Sequence, residues 1–126
     1  MYRVGLIREF IARHFLFGGD WGPENSPHAH PYRLEVRFEG DRLDEHGFLL
    51  DIAHLEPLLD GLVNHYRDAL LNDLPEFAGH NPSLERFARV IADRLGEELA
   101  GSGLRSLTVR LWENERAWAE LREEMA

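Results

Sequence analysis

A chain of 126 residues, 44% of them apolar, can build one hydrophobic core, so residues 1–126 read as a single domain. The absence of cysteine excludes disulfides, thiolate metal sites and a cysteine nucleophile. A formal charge of −9 argues against a nucleic-acid partner, no apolar run is long enough to cross a membrane, and Met1-Tyr2-Arg3-Val4 lacks a signal-peptide pattern, so a cytoplasmic protein is expected.

Taken in chain order, Tyr2 to Phe17 is rich in β-branched and aromatic residues and predicts a strand with room for a bulge. Phe10, Ala12 and His14 share one parity within it. Residues 18–23 are dense in glycine and proline and predict a loop. From His28 to Glu39 the alternation is strict. His28, His30, Tyr32, Leu34, Val36 and Phe38 take one face, and Arg33, Glu35, Arg37 and Glu39 the other. A turn over residues 40–47 leads to a helix whose stripe is Ile52, Leu55, Leu59, Leu62, Tyr66 and Leu70. Asp51 is its expected N-cap, and Pro57 is tolerable only near the first turn. Residues 74–80 predict a loop. Asn81-Pro82 predicts the start of a second helix, cap residue then proline, with the stripe Leu84, Phe87, Ala88, Ile91, Leu95 and Leu99. Gly101 and Gly103 end it. Leu107, Val109 and Leu111 alternate with Thr108 and Arg110 as a third strand, and residues 116–123 fit a strand or a helix. The sum is an α+β fold: an antiparallel four-stranded sheet with two helices packed on one face. Short edge strands predict pairing between copies of the chain.

His28-Ala29-His30 is the pattern with the most chemistry in it. Histidines at i and i+2 of a strand point to one side. His14 adds a third imidazole, and three protein ligands with one open position is the usual form of a catalytic zinc site.

Several segments resemble the 6-pyruvoyltetrahydropterin synthase / 6-carboxytetrahydropterin synthase family, of the tunnelling fold, in order and over nearly the whole chain. Phe10-Ile11-Ala12-Arg13-His14 is similar to the family's F-x-A-x-H, and His28-Ala29-His30-Pro31-Tyr32 to its H-G-H-x-Y. Gly47-Phe48-Leu49-Leu50-Asp51 resembles G-M-V-x-D, Leu71-Asn72-Asp73 resembles L-N-D, and Asn81-Pro82-Ser83-Leu84-Glu85 resembles N-P-T-x-E. Trp112-Glu113-Asn114 falls where the family has E-T. The resemblance implies a zinc-dependent lyase acting on 7,8-dihydroneopterin triphosphate or a close pterin, assembled as trimers or hexamers. It implies His14, His28 and His30 as metal ligands, Glu113 as the anchor of the pterin ring, and Ser83 and Glu85 as residues near it. Parity supports Glu113 separately: it follows the row Leu107, Val109, Leu111, and a buried carboxylate needs a partner. A pterin's guanidine-like edge offers two N–H donors to it.

Two departures from the family pattern bear on catalysis. Glu24 stands where the family usually has a basic cysteine, a change that resembles a subgroup linked to folate synthesis. The family's Asp-His pair before L-N is replaced by Arg67-Asp68. His65, three residues before Asp68, would share a helix face with it and could form a substitute relay. The alternatives within this resemblance are an active lyase using Glu24, or a pterin- or purine-binding protein that has lost catalysis.

Overall fold

The computed structural model describes residues 1–125. Strands β1 (Tyr2–His14), β2 (His28–Gly40), β3 (Ser106–Trp112) and β4 (Trp118–Glu124) form one antiparallel sheet in sequential order. Helices α1 (Ile52–Tyr66) and α2 (Leu84–Glu98) cover one face of it. No described helix is long and apolar enough to cross a membrane.

The expected alternation explains the core. Phe10, Tyr32, Leu34, Val36, Phe38, Leu107, Val109 and Leu111 are all buried, and they meet Leu55, Leu59, Phe87, Ile91 and Leu95 from the helices. The opposite sheet face is a lattice of charges. Glu120 joins Arg37 at 2.9 Å and Arg110 at 2.8 Å, while Glu39 takes Arg3 at 3.3 Å.

The structure differs from expectation in four places, and it settles one open reading. β1 stops at His14 rather than Phe17 and carries no bulge, since its pairing with β2 is unbroken from Tyr2↔Gly40 to His14↔His28. α1 ends at Tyr66, so Leu70 lies outside the helical stripe. Asp68 adopts a left-handed backbone (φ 61°), and its N–H donates to the Ile11 carbonyl at 2.7 Å. Pro57 sits inside α1 beyond the first turn, on its exposed side, where the Ala53 carbonyl loses an i+4 donor. α2 is capped by Ser83, whose hydroxyl accepts from the Arg86 N–H at 3.1 Å, and not by Asn81. The ambiguous last segment is a strand, because β4 completes its ladder on β3 and lays Leu121 against the core.

Candidate metal centre and cleft

β1 and β2 end together at the pair His14↔His28, and His30 lies one step back on the same inward face. Strand parity therefore delivers all three imidazoles to one point. Their ring centroids are 4.6, 4.9 and 4.8 Å apart, with interplanar angles of 69°, 87° and 87°. One nitrogen from each lies within 4.8 Å of the others.

Which nitrogens face the centre follows from their outer partners. His14 Nδ1 is 2.8 Å from the Pro82 carbonyl, and His28 Nδ1 is 2.8 Å from the Ser26 carbonyl. A carbonyl only accepts, so each Nδ1 carries the hydrogen and each Nε2 keeps its lone pair. Nε2 of His28 and of His30 is buried with no hydrogen-bond partner among the described residues. Buried orphaned acceptors are costly unless something binds them. Three imidazole nitrogens at one point, two of them with the tautomer fixed by an outer carbonyl, fit a borderline-soft divalent ion such as zinc.

Electrostatics favour the neutral form of two of the three. Burial, reinforced by the His30 and His28 imidazoles, holds His14 below the ordinary histidine range despite the opposing Pro82 carbonyl. Burial and then His28 do the same for His30, against a smaller upward pull from Glu24.

The triad opens into a cleft of about 450 Å³, whose lining includes His14, Glu24, Ser83, Glu85 and Glu113. Glu113 lies just past the end of β3. Its N–H donates to the Ala117 carbonyl at 3.1 Å, and Oε2 stands 3.9 Å from His30 Nε2. Burial raises its carboxyl above the usual range, with Glu24 and Glu85 adding to the rise and His14 and His28 opposing it. Glu24 lies in a short 3-10 turn (Gly22–Asn25) on the exposed side of the cleft. So five elements that are distant in sequence bring Glu24, Ser83, Glu85, Glu113 and the triad together.

His65 and Asp68 are not brought there. The shared helix face assumed for them does not exist, because α1 has ended before Asp68. His65 Nε2 instead meets Glu76 Oε2 at 3.0 Å, and the Tyr66 hydroxyl donates to the same oxygen at 3.0 Å. Neither His65 nor Asp68 lines the cleft.

Two asparagines matter in a way that the sequence reading missed. Where β1 has lost its strand partner, Asn72 takes over: its Oδ1 accepts from Phe15 N–H at 2.9 Å and its Nδ2 donates to Phe15 O at 3.0 Å. Asn81 does the same for Phe17, at 2.9 and 3.0 Å. A side-chain amide carries one acceptor oxygen and a donor NH2, so it imitates a neighbouring peptide. The only signal in the sequence was their place in two motif fragments.

Comparison with known proteins agrees with this geometry. The family model for 6-pyruvoyl tetrahydropterin synthase matches residues 4–124. A protein of Archaeoglobus fulgidus, provisionally named 6-carboxy-5,6,7,8-tetrahydropterin synthase, is 31% identical over 119 residues, covering 94% of each chain. The 6-carboxy-5,6,7,8-tetrahydropterin synthase of Bacillus subtilis is 32% identical over 88 residues, 67% of this chain and 58% of that one. Among solved structures, the Caenorhabditis elegans 6-pyruvoyl tetrahydropterin synthase superposes with a TM-score of 0.84 at 19% identity, covering 98% of this chain and 96% of that one. The Plasmodium falciparum enzyme gives 0.79 at 15% identity, covering 98% of both. This chain has the same four-stranded, two-helix tunnelling fold, and it belongs to the 6-pyruvoyl tetrahydropterin synthase family.

Proposed function

We propose that the chain is a zinc-dependent lyase of 7,8-dihydroneopterin triphosphate or a close pterin analogue. The observation that carries this reading is the convergence of three imidazoles, two of them anchored by outer carbonyls, beside a half-buried carboxylate. His14, His28 and His30 would hold the ion. When bound, it supplies Lewis acidity toward an oxygen of the substrate side chain. Glu113 accepts the two N–H donors on the guanidine-like edge of the pterin, which offsets the burial of its charge. Ser83 and Glu85 flank the ring. Glu24 takes and returns the side-chain proton, its carboxylate being open to the cleft. A glutamate is named as a catalytic residue in a solved Plasmodium vivax 6-pyruvoyltetrahydropterin synthase variant, so carboxylate chemistry has precedent on this fold.

The product is the 6-pyruvoyl, 6-carboxy or 6-hydroxymethyl pterin. The provisional name of the Archaeoglobus fulgidus relative favours the 6-carboxy branch. Exposed edges on β1 and β4 support a homo-oligomer, trimer or hexamer. The second reading is a pterin- or purine-binding protein without turnover, favoured by Arg67-Asp68 in place of the Asp-His pair and by the absence of a relay between His65 and Asp68. The deciding experiment incubates zinc-loaded protein with 7,8-dihydroneopterin triphosphate and identifies pterins by mass spectrometry, with Glu24→Ala in parallel. A new pterin lost in the variant supports the lyase. A new pterin made equally by both removes Glu24 from the chemistry. Tight pterin binding without any product favours the second reading.

A further inference from the structure

The sheet face turned away from the helices carries a site of its own. Along most of that face the arginines are committed: Arg3 and Arg122 to Glu39, and Arg37 and Arg110 to Glu120. The pattern breaks one row further on. Glu9, Arg33 and Trp112 are successive cross-strand neighbours there. Opposite charges in that relation ordinarily pair. Yet neither Glu9 nor Arg33 has an ion-pair partner among the described residues. A cavity of about 710 Å³ opens over this row, lined by Glu9, Ile11, Pro31, Arg33, Arg67 and Trp112 among others, and it shares no lining residue with the metal cleft.

Arg67 reaches the cavity through its backbone. It stands at the end of α1, and the next residue, Asp68, donates its N–H to the Ile11 carbonyl at 2.7 Å, which pins the segment beside β1. The Arg67 guanidinium also has no acidic partner among the described residues. Ile11 and Pro31, opposite each other in the β1–β2 register, give an apolar floor between Arg67 on one side and Arg33 and Trp112 on the other. Trp112 is half-buried, and its Nε1 is buried with no acceptor among the described residues. A buried donor without a partner is costly. Three strand spacings, about 14 Å, separate the Arg67 segment from β3, which suits a ring with a charged substituent better than a single ion.

The wall therefore offers a floor for a flat ring, an indole N–H in need of an acceptor, two free guanidinium groups for an anion, and the Glu9 and Glu115 carboxylates for N–H donors. We infer that this cavity is a second binding site, separate from the metal cleft, for a nitrogen heterocycle that carries a phosphate or carboxylate group. The inference does not depend on the pterin-lyase reading, because no residue of the cleft enters it.

Calorimetry on the metal-free full chain tests it with four probes: adenosine 5′-monophosphate and orotate, each a nitrogen heterocycle with an anionic group, and uncharged adenosine and uracil. At least one of the two anions should bind saturably at one site, and its uncharged counterpart at least about tenfold more weakly. Binding of the monophosphate alone assigns the site to phosphates, and of orotate alone to carboxylates. Arg33→Gln and Arg67→Gln should each weaken binding about tenfold, and Trp112→Phe, which keeps an aromatic ring but removes the N–H, about fivefold. Arg86→Gln, on α2, and His30→Ala, in the cleft, should leave it unchanged. Absence of saturable binding by both anions would overturn the site, as would Arg33→Gln and Arg67→Gln chains that bind like the original. Loss of binding in His30→Ala would also overturn it, by placing the probe in the metal cleft.

Discussion

Replacing Asn72 by alanine tests whether the side-chain amide supports the metal centre. The variant removes two hydrogen bonds, at 2.9 and 3.0 Å, to the N–H and C=O of Phe15, the residue after His14. Both bonds are partly buried, so water regains only part of what is lost. At about 1 kcal/mol net per bond, the metal-free protein should lose about 2 kcal/mol. For a domain of this size that is a fall in Tm of about 8 °C. Metal affinity should fall about tenfold, the lower end of what loss of outer support costs. Asn72→Asp sharpens the test: it keeps the acceptor for Phe15 N–H but sets a carboxylate oxygen against Phe15 O, so it should be no more stable than alanine. Urea unfolding of the metal-free chain gives the stability, and a zinc competition titration gives the affinity. A loss under about 0.5 kcal/mol, within the usual range for surface substitutions, with zinc affinity unchanged, would refute the idea that Asn72 extends the strand to hold His14.

Three further outcomes are expected. His14 and His30 are held below the ordinary histidine range, so on acidification the unfolded chain takes up protons before the folded one does. Metal-free stability contributed by these two groups is therefore present above that range. It should fall by up to about 2.7 kcal/mol per pH unit as pH drops through the range toward the depressed folded values, and the slope should vanish in a His14→Gln/His30→Gln double variant followed by urea unfolding. Glu113→Gln should lower kcat/KM for the pterin substrate about tenfold to a hundredfold while leaving metal-free stability equal or higher, since burial already disfavours the charged carboxylate; a stability loss of more than about 1 kcal/mol would make Glu113 a structural residue instead. Pro57→Ala should stabilise by about 2 kcal/mol, the interior-helix cost of proline less the entropy it removes from the unfolded chain, and an unchanged urea midpoint would contradict this.

What was legible in the sequence follows from which patterns are local. A strand alternates with period two, so a parity argument placed His28, His30, Tyr32 and Leu34 on one face without any tertiary knowledge. The same argument aligned Glu113 with Leu107, Val109 and Leu111, although β3 itself stops one residue earlier. Helix ends are decided elsewhere. No glycine or proline stands between Tyr66 and Leu70, and the apolar spacing runs on through Leu70. Yet the chain leaves the helix, because the Asp68 and Arg13 N–H groups are taken up by the Ile11 and Ala69 carbonyls, a pairing with β1 that no local window contains. Aspartate tolerates the left-handed backbone this requires better than most residues. The supposed His65/Asp68 face failed for that reason alone. Asn81 was misplaced in the same way: Asn-Pro has the composition of a helix start, but Ser83 makes the cap and the Asn81 amide is committed to Phe17, across the fold.

These long-range amides account for the position of the centre. A sheet interior would bury three imidazoles but leave no opening, and a free loop would open the site but not fix its nitrogens. The last β1–β2 pair, His14↔His28, lies where the ladder runs out. Beyond it the chain is guided by asparagine side chains: Asn72 on Phe15, Asn81 on Phe17, and Asn25, whose Nδ2 donates to the Leu16 carbonyl at 3.0 Å. Each replaces a missing strand partner without adding a strand that would cover the cleft. Burial on the ladder side keeps His14 and His30 neutral, and the amide-held segment on the other side leaves room for a ligand between the triad, Glu24 and Glu113. The order of stability is then set: loss of one amide should loosen the centre well before it unfolds the sheet, because the core row from Phe10 to Leu111 makes no contact that depends on residues 15–17 for its hydrogen bonding.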